Sequence, residues 1–341
     1  MSIVESIVRR DGLRVAGGSV EPIVSAEQLV AALAGEDVER FRPLLPVGYA
    51  SVAHAYAEAA AELTARDLSE HYTVGLAWFH HEFVPQLKAR LTWLTGGAWS
   101  SADLADHIAF AAGSDADLIA HLVEAVAARE PISVYPGDWF GFSVGSTRQA
   151  NIDWQADATG RLACLCVPSV RNGHVTAEMV AFLESAAACL LNINLFPTLP
   201  SPERAGVASD LRPLLEKSVL SISFSRGFGM TASQLGVFLV HREHPYVRRF
   251  REQWNWFSYY FNALAARAFL RLDLAEVERV NDSRRAWVAR WLGTHSLPAI
   301  STGSYYVKAF NLVEPPPARL QPLTRDGVVR LCFKPQVVGD G

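Results

Sequence analysis

Residues 221–236 read Ser221-Ile-Ser223-Phe-Ser225-Arg226-Gly227-Phe-Gly229-Met-Thr-Ala-Ser-Gln234-Leu-Gly236. The uncharged runs at 219–224 and 235–240 flank this stretch and read as strands. The bend between them is rich in serine and glycine, and Gly227, Gly229 and Gly236 let a backbone turn tightly or approach its neighbours. The charge in the bend belongs to Arg226. A guanidinium has a pKa above about 12, so it serves as a fixed cation and is never an available nucleophile.

Working outward, the chain alternates strand and helix. The apolar run 107–112 ends in Gly113-Ser114-Asp115, and Leu118, Ile119, Leu122, Val123 and Val126 then recur at helical spacing. A strand that delivers a small-residue turn into a helix start makes an anion site, because free amides and the helix dipole point at it. Ser114 or Asp115 capping the helix is the plainer use of the same residues. A strand at 132–135 leads into Pro136-Gly137-Asp138-Trp139-Phe140, where Trp139 either stacks on a flat ligand or packs with Phe140 in a lid. The run 162–167 reads as another strand, and Pro168-Ser169-Val170-Arg171-Asn172-Gly173 follows it. Thr176 opens a helix with Met179, Phe182, Leu183, Ala186 and Ala187 on one face; a strand at 190–196 completes a βαβ unit and hence a parallel pair.

In order and spacing these pieces resemble the fold-type I pyridoxal-phosphate (PLP) enzymes of the class I/II aminotransferase family, over roughly residues 45–336. That family carries Ser-x-Ser-Lys, a glycine-rich bend and Arg-x-Gly where this chain has 223–236. The resemblance places Arg226 at the Schiff-base lysine and Gln234 at the phosphate arginine. It makes Gly113, Ser114, Ser223, Ser225 and Gln234 a former cofactor-phosphate site. Trp139 falls at the ring-stacking aromatic. Asn194, with Asn192 as the alternative, falls where an aspartate keeps the pyridine nitrogen protonated. Val170 replaces the asparagine that bonds the cofactor's phenolic oxygen, and Asn172 comes two residues later. Arg330, in Gly327-Val-Val-Arg330, matches the arginine that grips the substrate carboxylate, and Tyr72 and Gly75 match a Tyr-x-x-Gly turn at the cleft. The lysines Lys88, Lys217, Lys308 and Lys334 all lie outside the bend. With four cofactor positions changed, the resemblance implies a retained fold whose PLP chemistry is gone.

The implied architecture is α/β: an N-terminal arm of low regularity at 1–45, a large domain at 46–243 with a mainly parallel sheet flanked by helices, and a smaller C-terminal α/β domain at 244–341, assembled as a homodimer. The strand–helix alternation independently supports α/β. A formal net charge of -4 with no basic stripe argues against nucleic acid as a partner. No run is apolar enough for a membrane span or a signal peptide, so a cytoplasmic location is expected. Cys164, Cys166, Cys189 and Cys332 read as buried thiols. Adjacent His80 and His81 diverge by about 100° around a helix, which disfavours a shared metal ion. The aromatic run 254–261 reads as core, subunit contact or partner surface.

The functional expectation is a PLP-independent enzyme acting on an amino-acid-like or other carboxylate small molecule in specialised biosynthesis. Arg226, Tyr72 and His174 are its candidate catalytic groups, with Asp138 as a further acid or base, and Arg330, Trp139, Asn194 and Asn172 are its candidate substrate contacts. Two rivals stand beside it: a non-catalytic relative that binds a metabolite or a partner protein, and an enzyme that holds PLP or pyridoxamine phosphate noncovalently.

Overall fold

Strands buried on both faces need unbroken apolar runs, and the sequence supplies them at the centre of a seven-stranded sheet. The computed structural model describes residues 20–139, 151–231, 234–249, 251–252 and 262–334. In chain order its main elements are β1 (Ile23–Val24), α1 (Ala26–Ala32), α2 (Ala50–Glu62), α3 (Val84–Leu94), β2 (His107–Ala112), α4 (Asp115–Ala127), β3 (Ile132–Val134), β4 (Ile152–Trp154), β5 (Leu162–Cys166), α5 (Ala177–Ser185), β6 (Ala188–Asn192), α6 (Ser201–Leu211), β7 (Ser218–Ser223), β8 (Gly236–His241), α7 (Ala263–Arg271), α8 (Leu274–Thr294), β9 (Val307–Leu312), β10 (Thr324–Arg325) and β11 (Val328–Cys332).

The large sheet has the order β2-β8-β7-β6-β5-β3-β4. Only β8 runs against its neighbours; β7, β6, β5, β3 and β4 pair in parallel. Successive residues alternate between two cores. Leu165, Leu191, Leu220 and Val237 face one side with Leu87 and Leu91 of α3, Phe182 of α5 and Phe269 of α7. Cys164, Leu190, Val219 and Phe238 face the other with Leu118 and Leu122 of α4, Val288 of α8 and Phe310 of the second sheet. That second, smaller sheet has the order β1-β9-β11-β10. The α/β class, the mainly parallel sheet between helices and the smaller second sheet agree with the expected fold.

Several details differ. Residues 20–45, the described part of the expected N-terminal arm, are not irregular: β1 pairs in parallel with β9, and Ser25 closes a capping box at the start of α1. Two-residue strands carry no periodicity, which hides β1 in the sequence. The expected strand at 190–196 ends at Asn192, whose Oδ1 accepts the amide of Asn194 at 3.1 Å and turns the chain. α2 ends at Glu62, and Thr64 caps a new turn at Ala65–Ser69. α7, placed C-terminal to the expected boundary at 243, packs on α2 of the large domain. The aromatic run 254–261 and Phe140 lie outside the described residues. Among the described residues no helix is long and apolar enough to cross a membrane, and no cluster of His, Cys, Asp or Glu has metal-ligand geometry.

Candidate functional site

In parallel sheets ligands bind beyond the carboxyl ends of the strands, where loops diverge. Here the chain leaving β2 delivers Asp115, that leaving β3 delivers Trp139, β5 ends at Cys166, β6 ends at Asn192 with Asn194 following, and the chain leaving β7 delivers Arg226. These residues surround one cavity of about 160 Å³, which Val170, Leu195 and Leu44 complete. The volume is near that of engineered cavities of roughly 150 Å³ that hold a benzene ring, so it suits one ring with small substituents. Ala116, at the rim, is exposed.

Asp115 is the first residue of α4. Ser114 caps that helix by accepting the Asp117 amide at 3.1 Å, which leaves the Asp115 side chain to line the cavity. Burial pushes the Asp115 carboxyl up to about 6, against the opposing pull of the Arg226 charge and its own local amides. Asn194 is buried and lines the cavity, while its Oδ1 is fully enclosed and has no hydrogen-bond partner among the described residues. Buried amide oxygens are rarely left unpaired.

A strap formed by residues 42–49 crosses the cleft, and three arginines hold its carbonyls. Arg226 donates from Nε and Nη2 to Leu44 O at 3.0 and 2.8 Å. Arg330 donates to Arg42 O at 3.0 Å and to Val170 O at 2.9 Å. Arg284 donates to Val47 O and Gly48 O at 3.3 and 2.7 Å, with its guanidinium 4.3 Å from the centre of the Tyr49 ring. The Tyr49 hydroxyl bonds Gly227 O at 3.0 Å, tying the strap to the serine-glycine bend. Gly229, at φ +70°, leaves the room this needs, since a Cβ there would stand 2.1 Å from the Tyr49 ring.

Of the residues singled out in the sequence, the structure brings together Arg226, Trp139, Asn194 and its alternative Asn192, with Val170 and Asp115 beside them. Ser223 and Ser225 bond each other at 3.0 Å at the end of β7. The others are placed elsewhere. Tyr72 is 59% exposed. Gln234 is exposed, at φ +46°. Asn172 donates to Glu21 at 2.8 Å and accepts the His174 amide, so it shapes its own loop. The His174 ring is buried 3.8 Å from Glu203. Arg330 is buried with its guanidinium on two carbonyls, so its fork does not line the cavity as a carboxylate grip. Asp138 is also committed: its carboxylate accepts the amides of Cys166 at 2.6 Å and Val170 at 3.1 Å, and burial pushes it up to about 6. The sequence reading missed Asp115 as a cavity group. Its signal was a carboxylate in a turn that could otherwise receive an anion.

Solved aminotransferases match this architecture. The L,L-diaminopimelate aminotransferase of Chlamydomonas reinhardtii superposes with a TM-score of 0.60 at 13% identity, covering 97% of this chain and 90% of that one. The fold is that of the fold-type I aminotransferases. A Thermus thermophilus aspartate aminotransferase mutant gives 0.54 at 14% identity, over 87% and 93% of the two chains. A Burkholderia pseudomallei aromatic-amino-acid aminotransferase covalently bound to pyridoxal phosphate gives 0.54 at 12%, over 90% and 85%. No family model matches the chain, and no curated protein matches it in sequence. In this aminotransferase-like fold the cavity lies beyond the carboxyl ends of the parallel strands.

Proposed function

We propose that this cleft is the site of a PLP-independent enzyme acting on a small carboxylate-bearing molecule, with Arg226 as its fixed cation and Asp115 as its proton donor or acceptor. The observation that carries the reading is the pairing of a buried carboxylate and a guanidinium in the wall of one ring-sized cavity. A carboxyl held near pH 6 by burial is suited to take or give a proton around neutrality. Arg226 spends Nε and Nη2 on Leu44, and the fixed guanidinium stands ready for an acidic group or for developing negative charge.

On this reading the residues present do not fit PLP. None of the four lysines lines the cavity. Lys88 bonds the carbonyls of Ala105 and His107, Lys217 those of Glu184 and Ala186, and Lys308 that of Thr302. A phosphate at the start of α4 would meet the Asp115 carboxylate, a like charge. Asn194 has no charge with which to stabilise a pyridinium. The carboxylate partner passes from Arg330 to Arg226, because Arg330 is spent on the strap and the Val170 loop.

The test is the absorption spectrum of the purified protein after incubation with excess PLP and dialysis, followed by calorimetric titration with small carboxylates. A featureless spectrum, with carboxylate binding that Arg226→Met abolishes, supports the reading. A retained cofactor band sinks it in favour of noncovalent PLP or pyridoxamine phosphate.

A further inference from the structure

We propose that Asp115, on the first turn of α4, is a cation subsite of this cavity: its carboxylate takes a protonated nitrogen at the far end of a short ligand whose acid group lies on Arg226. The inference rests on the carboxylate reading above and names the second charge of its ligand, which makes the ligand an ω-amino acid. Three features of the cavity carry it.

The first is the state of Asp115. It is 8% exposed and lines the cavity. Its carboxylate accepts from the amides of its own turn, those of Asp115 and Ala116, and has no cation in ion-pair contact among the described residues. Helix capping does not account for a carboxylate here, because Ser114 already caps α4 by accepting the Asp117 amide at 3.1 Å. A buried carboxylate is costly unless it is paired, and a ligand ammonium in the cavity supplies the pair.

The second is the separation of the two charges. Arg226 lines the same cavity, yet the guanidinium and the carboxylate do not close on each other as an ion pair. Asp115 follows β2 and Arg226 follows β7, with β8 between them in the sheet. The chain thus delivers the two charges from strand ends two spacings apart, on the order of 10 Å. Arg226 spends Nε and Nη2 on Leu44 O, and its Nη1 makes no hydrogen bond to a described residue. Asn192 ends β6, the neighbour of β7, and gives its Oδ1 to the Asn194 amide, which leaves Nδ2 as the end that can donate. Donors for an acid group therefore come from adjacent strand ends, and the acceptor for a cation comes from two strands away. An α-amino acid carries both charges at one end and meets one of these sites. An ω-amino acid meets both. A phosphorylated ligand sets like charge against Asp115, so a turn built like an anion cradle serves a cation instead.

The third is the wall between the charges. Leu44, Val170 and Leu195 are apolar, and about 160 Å³ holds a short methylene chain. Asp115 paired with a protonated nitrogen is also the group to which that proton can pass, so the subsite keeps its acid–base role.

The experiment is calorimetric titration of the full-length protein at about pH 8, where a carboxyl raised to about 6 is ionised. The probes are 4-aminobutanoate, 2-aminobutanoate, which moves the nitrogen beside the acid, and butanoate, which removes it. 4-Aminobutanoate is expected to bind at least about tenfold more tightly than either. Asp115→Asn, near-isosteric and uncharged, is expected to erase that advantage while keeping butanoate binding. Asp115→Glu, whose carboxylate reaches one methylene further, is expected to shift the preference to 3-aminopropanoate, a change that a merely structural role would not produce. Equal affinity of the parent for 4-aminobutanoate and butanoate, or a preference for 2-aminobutanoate, overturns the cation subsite and leaves the carboxylate reading standing; this comparison needs no variant to fold. Failure of all three probes at millimolar concentration, without retained PLP, overturns the ω-amino acid assignment alone. Retained PLP overturns both.

Discussion

A Cβ on Gly236 would stand 1.9 Å from the amide nitrogen of Asp115, closer than any side-chain carbon approaches backbone. β8 is thus pressed directly against the turn that carries the cavity's carboxylate, and glycine is required there by contact rather than by its backbone angles. Gly236→Ala must drive β8 and the start of α4 apart. The expected outcome is a loss of about 3 kcal/mol or more in chemical denaturation, the upper range for overpacking. A variant as stable as the parent would show that the turn has room to retreat.

The strap makes a different demand on Arg330. Its guanidinium holds Arg42 O and Val170 O, so Arg330→Met leaves two carbonyls without their donor. A loss of roughly 2–4 kcal/mol is expected, together with faster proteolysis between residues 42 and 49. Arg330→Lys should recover little, since an ammonium lacks the planar fork that reaches both oxygens. If Arg330→Met abolished binding of a carboxylate probe at unchanged stability, the grip on a ligand acid would return to Arg330.

These contacts mark where sequence reading succeeds and where it stops. The sheet was legible because 162–166, 188–192 and 218–223 are uncharged runs between turn residues, and the serine-glycine bend fixed the family likeness. Arg226, Trp139 and Asn194 could be placed because each follows a strand end by a short loop. Asp115 was passed over because a carboxylate at a helix start caps far more often than it lines a cavity. Arg330 and the strap were illegible for a deeper reason. A main-chain carbonyl has no residue type, so nothing in the sequence of 42–49 announces that three arginines will be spent on its oxygens.

Acid should weaken the edge of the large sheet. His107 on β2 and His244 after β8 are both buried, and burial pulls each down to about 4, below the ordinary 6.5. As pH falls from 6.5 toward 4 the unfolded chain takes up protons that the folded protein refuses, so stability drops across that window. Each histidine contributes on the order of 3 kcal/mol to the loss at its lower end. Denaturation midpoints measured from pH 7 to pH 4 should fall steeply in the parent and less in His107→Phe. An unchanged slope in that variant would remove His107 from the account.

The opposite pH window reports on the seam between the two sheets. Lys308 on β9 is 1% exposed, and its ammonium donates to Thr302 O at 2.7 Å. Burial drags its pKa from 10.5 down to about 7; nearby Glu203, which accepts the Gly303 amide at 2.8 Å, pulls the other way, and Arg285 adds to the fall. Between pH 7 and 10.5 the unfolded chain keeps the proton while the folded protein releases it, so stability rises with pH through that interval by up to about 1.4 kcal/mol per unit. Below pH 7 both states hold the proton and this contribution is flat at its minimum. Lys308→Met removes the titrating group, and its stability should be nearly independent of pH from 7 to 10 where the parent's climbs. The check is urea denaturation at matched ionic strength across that range; a parent curve with no rise, or a variant that keeps it, would mean that the buried amine holds its proton on Glu203's charge.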